Sequence, residues 1–483
     1  MRLATALSWQ QTVGEPITPV TFETSFRKLL QELGFLFDQE SGKSMDKKNF
    51  ALVNCTVIDG HLNSHPLENA VILVKNLVEG DEKSGIFAAL GNRQDTPIPR
   101  SYRIIDLQGK YVLPGLINAH CHIIADGRPS TSSAGKWMKV LVWLAKTPPG
   151  KIIALNMMRT SARNELNSGV TTLRSAGEPF FYDVIIRKEI EQGKWIGPRM
   201  LVAGPGILPT GGHGAGFFNI ADGPWQVRQQ VRNNIHHEVD LIKILSTGGV
   251  SDSKVIGEAG RPQMDPVEIE AACTEAHRAG LMVATHAQSM QGVKEALQAG
   301  VDTIEHGSDL DEEMAELFKH NPKALRGFSA LIPTFSAPQA IMEHLPEGKM
   351  KLTPVQVENS KIIMKGMVKG FKAALKHGVM TGVGNDASIP YVTHYGFWKE
   401  LTFLVKFGGI SNQHAIHLAT LNNAKILGLK KETGSIAAGK SADLMVVDGN
   451  PLENLAVLAR PVMVCVRGNL IEKLKIKKVR GVD

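Results

Sequence analysis

Residues 115–122 read Gly115-Leu116-Ile117-Asn118-Ala119-His120-Cys121-His122, an apolar run that stops on two histidines spaced two apart. Alternate residues of a strand face the same way, so a strand here would present both imidazoles together. Further runs of this kind follow at 170–177, 198–206, 240–249, 281–287, 301–307, 329–335 and 379–386, with Gly or polar residues at or near their ends. Helical stretches such as Pro266-Val267-Glu268-Ile269-Glu270-Ala271-Ala272 lie between them. Eight strands alternating with helices over about 300 residues predict an α/β fold, a (β/α)8 barrel of TIM type over residues 113–430.

Strand-like segments flank that region. They begin at Phe50 and return in 434–450 and 462–471. The pairing predicts a small β-sandwich domain built from both chain ends, residues 45–112 and 431–472. Residues 1–44 stand apart as an N-terminal extension. Its stretch Thr24 to Leu33 has the i, i+3, i+4, i+7 apolar spacing of an amphipathic helix, with Thr24 as cap. The expected role is to dock over an apolar patch, and Met45 reads as a second natural beginning. Lys473, Lys475, Lys477, Lys478 and Arg480 carry most of the net charge of +7, so 473–483 reads as a solvated basic tail. The body is therefore not a nucleic-acid surface.

With 43% apolar and 21% charged residues, the composition is that of a globular enzyme. No apolar run approaches the roughly 20 residues a membrane-spanning helix needs, and the first residues make a poor secretory signal. Cys55, Cys121, Cys273 and Cys465 show no CxxC spacing and read as reduced, buried thiols, which predicts a cytoplasmic protein.

Barrel strands open their C-terminal ends onto one face, where the active site lies. The first predicted strand ends at His120 and His122, the fourth holds Lys243, the fifth ends at His286, the sixth at His306 and the eighth at Asp386. Neutral imidazole and carboxylate oxygen suit zinc and similar divalent ions. A single histidine at a strand end is ordinarily held by backbone, but four with an aspartate point to a metal centre. Lys243 sits in Leu241-Ile242-Lys243-Ile244-Leu245, where burial disfavours the ammonium and leaves a nucleophilic amine. That amine can add carbon dioxide to give a carbamate able to bridge two ions. The alternative is a lysine whose stem follows the strand end to an acid.

Together 114–122, Lys243 ahead of Gly248-Gly249, Thr285-His286-Ala287, Ile304-Glu305-His306-Gly307 and Gly384-Asn385-Asp386-Ala387-Ser388 resemble the amidohydrolase superfamily. The segments 441–452 and Pro209-Thr210-Gly211-Gly212-His213-Gly214 belong to the same resemblance, which covers roughly residues 50–472. Within the superfamily the chain is similar to the imidazolonepropionase-related and prolidase-like enzymes, the ochratoxinase-like branch. The resemblance implies two divalent ions, with zinc expected. His120, His122 and Asp386 would hold one ion, His286 and His306 the other, and Lys243, carboxylated by carbon dioxide, would bridge. Relatives commonly carry Arg-Asp where this chain has Arg174-Ser175, so a supporting carboxylate is expected to be missing.

The implied activity is hydrolysis of an amide-type C–N bond by a metal-bridging hydroxide, with Asp386 passing the proton to the leaving nitrogen. His213 is a second catalytic candidate, for the substrate carbonyl or carboxylate, unless its loop is glycine-rich merely for a turn. The expected substrate is an Xaa-Pro-like dipeptide or an N-acyl amino acid. Arg261 and Lys254 are candidates for its free carboxylate, with plain surface solvation as the alternative. An imidazolone-ring hydrolase or a mononuclear deaminase would keep the four histidines and Asp386 without needing Lys243. A metal-free assembly scaffold would need none of the six metal-site residues. The expected partners are a small-molecule substrate and further copies of the chain in a homo-oligomer, with no nucleic acid and no membrane.

Overall fold

In chain order the strands of the computed structural model are β1 (Phe50–Val57), β2 (Leu67–Lys75), β3 (Ile86–Asn92), β4 (Arg103–Pro114), β5 (Leu116–Cys121), β6 (Val170–Ser175) and β7 (Arg199–Val202). There follow β8 (Ile207–Leu208), β9 (Asn219–Ile220), β10 (Leu241–Leu245), β11 (Met282–Ala287), β12 (Thr303–His306) and β13 (Ala330–Ile332). Near the end come β14 (Leu444–Val447), β15 (Met463–Val466) and β16 (Asn469–Ile471). The structure describes residues 48–76, 85–129, 142–348, 350 and 352–482. The extension 1–44, its expected helix and Met45 lie outside the described residues.

Strands from both ends of the chain share one seven-stranded sheet, in the order β16-β15-β14-β4-β1-β2-β3. The join is β14 against β4, antiparallel from Leu444↔Pro114 to Val447↔Tyr111. The sequence-based sandwich is corrected here, because these strands form one sheet and not two. Edge strand β3 meets the segment leading into β14, with the Phe87 N–H donating to the Lys440 carbonyl at 2.9 Å and the Ala442 N–H to that of Gly85 at 2.9 Å. The sheet therefore curls so that one face, with Leu52, Ile72, Phe87, Val112, Leu444 and Cys465, packs on itself. Met445, Val447, Val464 and Val466 on the other face join the large core beneath the remaining strands. The expected boundary at 112/113 falls inside β4, which runs on to within two residues of β5 and so sets where the first histidine-bearing strand begins.

The middle of the chain alternates strand and helix. β5, β6 and β7 are parallel neighbours. A second sheet has the order β13-β12-β11-β10-β8-β9, again parallel from β13 to β8. The helices between them start where the sequence caps them. Asp265 and Glu268 form a reciprocal capping box on Pro266–Arg278, and Thr353 and Gln356 form one on Pro354–His377.

The eighth expected strand makes one isolated bridge, Leu331↔Thr381, in place of a regular ladder. It is hydrogen-bonded on both sides all the same. The Gly382 N–H donates to Leu331 at 2.8 Å, the Ala119 N–H donates to Val383 at 3.0 Å, and the Asp386 N–H donates to His120 at 2.9 Å. Two local features break the regularity. Asp386 has φ +57, and a Cβ on Gly384 would lie 2.4 Å from that of His120.

The tail after 472 is not simply solvated, contrary to the sequence expectation. The Asn164 side chain accepts from the Lys477 N–H at 2.9 Å and donates to the Lys477 carbonyl at 3.0 Å, as a strand partner would. Val479 is buried, and its N–H donates to the Tyr395 hydroxyl at 2.9 Å. All four cysteines are buried and free, and burial pushes the Cys55 thiol up to about 12. No helix among the described residues is long and apolar enough to cross a membrane.

Candidate metal centre

Strand ends converge on one buried cluster. His120 and His122 leave β5 on the same side, and Asp386 Oδ1 lies 3.3 Å from His120 Nε2 and 3.5 Å from His122 Nε2. His306 at the end of β12 joins them, its ring 5.1 Å from that of His120, and His286 from β11 lies 4.6 Å from His306. Among the described residues, ligand atoms of His120, His306 and Asp386 all lie within 4.8 Å of one another. His306 and Asp386 both adopt positive φ, +68 and +57, so strained backbone aims both side chains.

The far nitrogen of each imidazole is already engaged. His120 Nδ1 donates to Glu305 Oε2 at 2.6 Å, and His122 Nδ1 donates to the Gly177 carbonyl at 2.8 Å. His306 Nδ1 pairs with Thr334 Oγ1 at 2.7 Å, and His286 Nε2 donates to the Gly248 carbonyl at 3.1 Å. A carboxylate or carbonyl can only accept, so the nitrogen facing it carries the proton. The other nitrogen keeps its lone pair, which is how metal-binding histidines are prepared. Burial supports this by disfavouring the imidazolium. It lowers the His122 pKa to about 4 and holds His286 and His306 well below the ordinary value. For Asp386 burial would raise the carboxyl, but positive charge facing it, on His120 first and then on His306 and His122, holds it well below, and a divalent ion would supply that charge with the imidazoles neutral. Neutral nitrogens around an anionic carboxylate form a donor set that fits borderline divalent ions.

Lys243, in the middle of β10, is 3% exposed. Burial drives its amine down to about 8, against the opposing pull of Glu305 and Asp386. Four histidines and Asp386 thus gather at the strand ends, and Lys243 lies near enough to feel the charges of Glu305 and Asp386.

His213 lies beside them. Its ring is 4.7 Å from that of His286, and Nδ1 faces Asp252 Oδ2 at 2.5 Å. Arg261 is placed differently. It is exposed and paired with Glu258 at 2.7 Å, while Lys254 lies exposed on the same loop.

Two residues given no role from the sequence, Arg174 and Glu305, support the cluster. Arg174 is fully buried, and donates to Glu305 Oε1 at 2.6 Å, to Thr303 Oγ1 at 2.8 Å and to the Ala119 carbonyl at 2.5 Å. Burial would raise the Glu305 carboxyl, but Arg174 and His120 hold it well below the usual range. Glu305 therefore stays ionised and fixes the His120 ring.

Glu178 occupies the space beside Ser175, and burial, with Asp183 nearby, raises its carboxyl well above the ordinary value. Its Oε1 accepts the Ile123 N–H at 2.5 Å and the Ser175 hydroxyl at 3.3 Å, and lies 3.9 Å from His122 Nδ1. A longer side chain three residues on reaches the space beside the shorter Ser175. The signal was in the sequence, since Glu178 follows Gly177 directly, but nothing in the spacing said where it would point.

A candidate prolidase from Bifidobacterium longum is 38% identical, with TM-score 0.77, over 90% of this chain and 97% of that one. An Xaa-Pro dipeptidase with methionine bound in its active site is 28% identical, with TM-score 0.73, over 88% of this chain and all of that one. The ochratoxinase of Aspergillus niger is 26% identical over 429 residues, 83% of this chain and 81% of that protein. These likenesses imply a fold of the TIM-barrel type. The amidohydrolase family model matches residues 111–471, and the chain belongs to that family, in the branch of ochratoxinase and the prolidase-like enzymes.

Proposed function

We propose that the protein is a binuclear metal-dependent amidohydrolase that cleaves the C–N bond of an Xaa-Pro-like dipeptide or an N-acyl amino acid. The observation that carries this reading is a buried lysine, Lys243, shared with four imidazoles prepared as ligands and an ionised aspartate. His120, His122 and Asp386 would hold one ion and His286 and His306 the other, with carboxylated Lys243 common to both. When bound, two such ions, zinc in our reading, supply Lewis acidity and lower the pKa of water toward about 7.

The chain's own groups do the rest. Asp386 accepts the proton of the attacking water at its carboxylate and delivers it to the departing nitrogen. Glu305 and the Gly177 carbonyl keep the His120 and His122 rings from turning. His213, with Nδ1 held by Asp252, serves the substrate carbonyl or carboxylate in its imidazolium form, whose Nε2–H donates to that oxygen. The candidate prolidase and the Xaa-Pro dipeptidase support the dipeptide reading, and ochratoxinase supports a broader amide class.

The test is a hydrolysis screen of the purified chain over Xaa-Pro dipeptides and N-acyl amino acids, before and after metal chelation. Chelator-sensitive release of the free amino acid is expected. Release of ammonia from an amino-substituted ring, with no amide cleavage, would replace this reading by the deaminase.

A further inference from the structure

The segment after β16 passes along the helix Pro148–Asn167 and ends beside the strand-end mouth. Asn167 donates to the Lys475 carbonyl at 2.7 Å, and Asn164 pairs with both backbone groups of Lys477. Val479 is buried, and Val482 packs in an apolar cluster with Ile389, Tyr391, Val392 and Met350. Three of those partners lie in the loop that leaves Asp386.

That loop is strained. Asp386, Ser388 and Tyr391 all hold positive φ, at +57, +90 and +69, and none is glycine. Such backbone persists where its surroundings over-determine it. On its inner side the loop is tied to the chain that follows the histidine pair. The Ser388 hydroxyl faces the His122 and Ala125 carbonyls, each at 2.7 Å, and the Tyr391 N–H donates to Gly127 at 2.7 Å. Gly127 permits this, since a Cβ there would sit 2.5 Å from the Val392 carbonyl oxygen. On the outer side, Tyr391 stacks on His344 at 3.9 Å and Val482 closes the cluster.

We propose that residues 475–482 form a clamp that holds the strained 386–392 loop in place, making Val482 a positioning residue for Asp386. This rests on the reading of Asp386 as the proton carrier. A basic tail would be free to wave in solvent, whereas this one is anchored upstream by Asn164 and Tyr395 and delivers its last apolar side chain to the loop. Small displacements of a reacting group cost rate far more than they cost substrate binding.

The test compares the full chain with Val482→Asp, Val482→Ile and Asn164→Ala, by amide hydrogen exchange without added metal and by steady-state kinetics with metal. For Val482→Asp, exchange of peptides covering 386–396 should accelerate at least about tenfold while peptides from 50–112 stay unchanged. The kcat should fall about tenfold with KM held within about twofold. Val482→Ile should restore both, and Asn164→Ala should reproduce the effect in weaker form. Unchanged exchange and kcat in Val482→Asp would overturn the clamp, as would exchange that rises equally throughout the protein. If the full chain hydrolyses no amide substrate, the proposed function fails, and the exchange comparison still decides the clamp.

Discussion

Lys243 shows most sharply what a single residue does here, because an ammonium in an apolar strand is costly and the neutral amine is the form that burial favours. Lys243→Ala is expected to lose metal and turnover together, while the circular dichroism of the fold stays unchanged. A short carboxylic acid such as propionate should restore part of both by occupying the vacated space. Lys243→Arg should restore neither, since guanidinium stays charged and cannot form a carbamate. Near-normal turnover of Lys243→Ala with both ions bound would reduce Lys243 to a structural residue. Glu178 offers a second test. Groups that orient metal-binding histidines typically contribute about 10- to 100-fold in metal affinity. Glu178→Ala should weaken zinc binding by about that factor, measured by competition with a chelator, and adding Ser175→Asp should recover part of the loss. If Glu178→Ala binds zinc as the parent does, the Glu178 carboxyl has no part in preparing His122.

Elements differ in how far the sequence reveals them, and the reason is physical. Seven parallel strands were legible because buried strands read as apolar runs and their ends as polar residues. The eighth was legible in place but not in form, since the backbone turn at Asp386 leaves no hydrophobic trace. The curled sheet was misread as a sandwich because an alternating strand declares a buried face without declaring what covers it. The Arg174–Glu305 pair joins residues 131 apart, beyond the reach of any local pattern. Glu400 is another such long-range contact. From the helix Phe397–Gly408 its carboxyl accepts the N–H groups of Phe335 and Ser336, at 2.6 and 2.7 Å, at the start of the helix Ser336–His344. Burial raises its pKa from 4.5 to about 8. The unfolded chain releases this proton near pH 4.5 and the folded chain keeps it to about 8, so the contribution is full below 4.5 and is lost as pH rises through about 8. Glu400→Gln keeps one donor and one acceptor and does not titrate. The melting temperature of the parent, measured against Glu400→Gln, should therefore fall between pH 5 and 8, and a flat difference over that window would mean the carboxyl is already ionised.

At the scale of the whole molecule the proposed ions are cross-links. Their ligands come from β5, β10, β11 and β12 and the run ending at Asp386, spread from residue 120 to 386 and joined otherwise by side-by-side backbone bonds. A ligand that binds only the folded chain stabilises it by about 2.7 kcal/mol when free at 100 times its Kd, and two sites add independently unless they share a bridge. Sharing Lys243 would make them unequal, because the second ion meets the carbamate already formed while also feeling the charge of the first. Titration of chelator-stripped protein with zinc should therefore give two ions per chain by elemental analysis, and two steps in melting temperature rather than one. Protection against hydrogen exchange should rise at the strand ends 119–122, 286–288, 305–307 and 384–387. The seven-stranded sheet holds none of the proposed ligands and should exchange alike with and without metal. Saturation at one ion with full turnover would favour the mononuclear reading. Protection rising equally in the sheet and at the strand ends would mean that the ions stabilise the chain as a whole and not the mouth they are proposed to tie together.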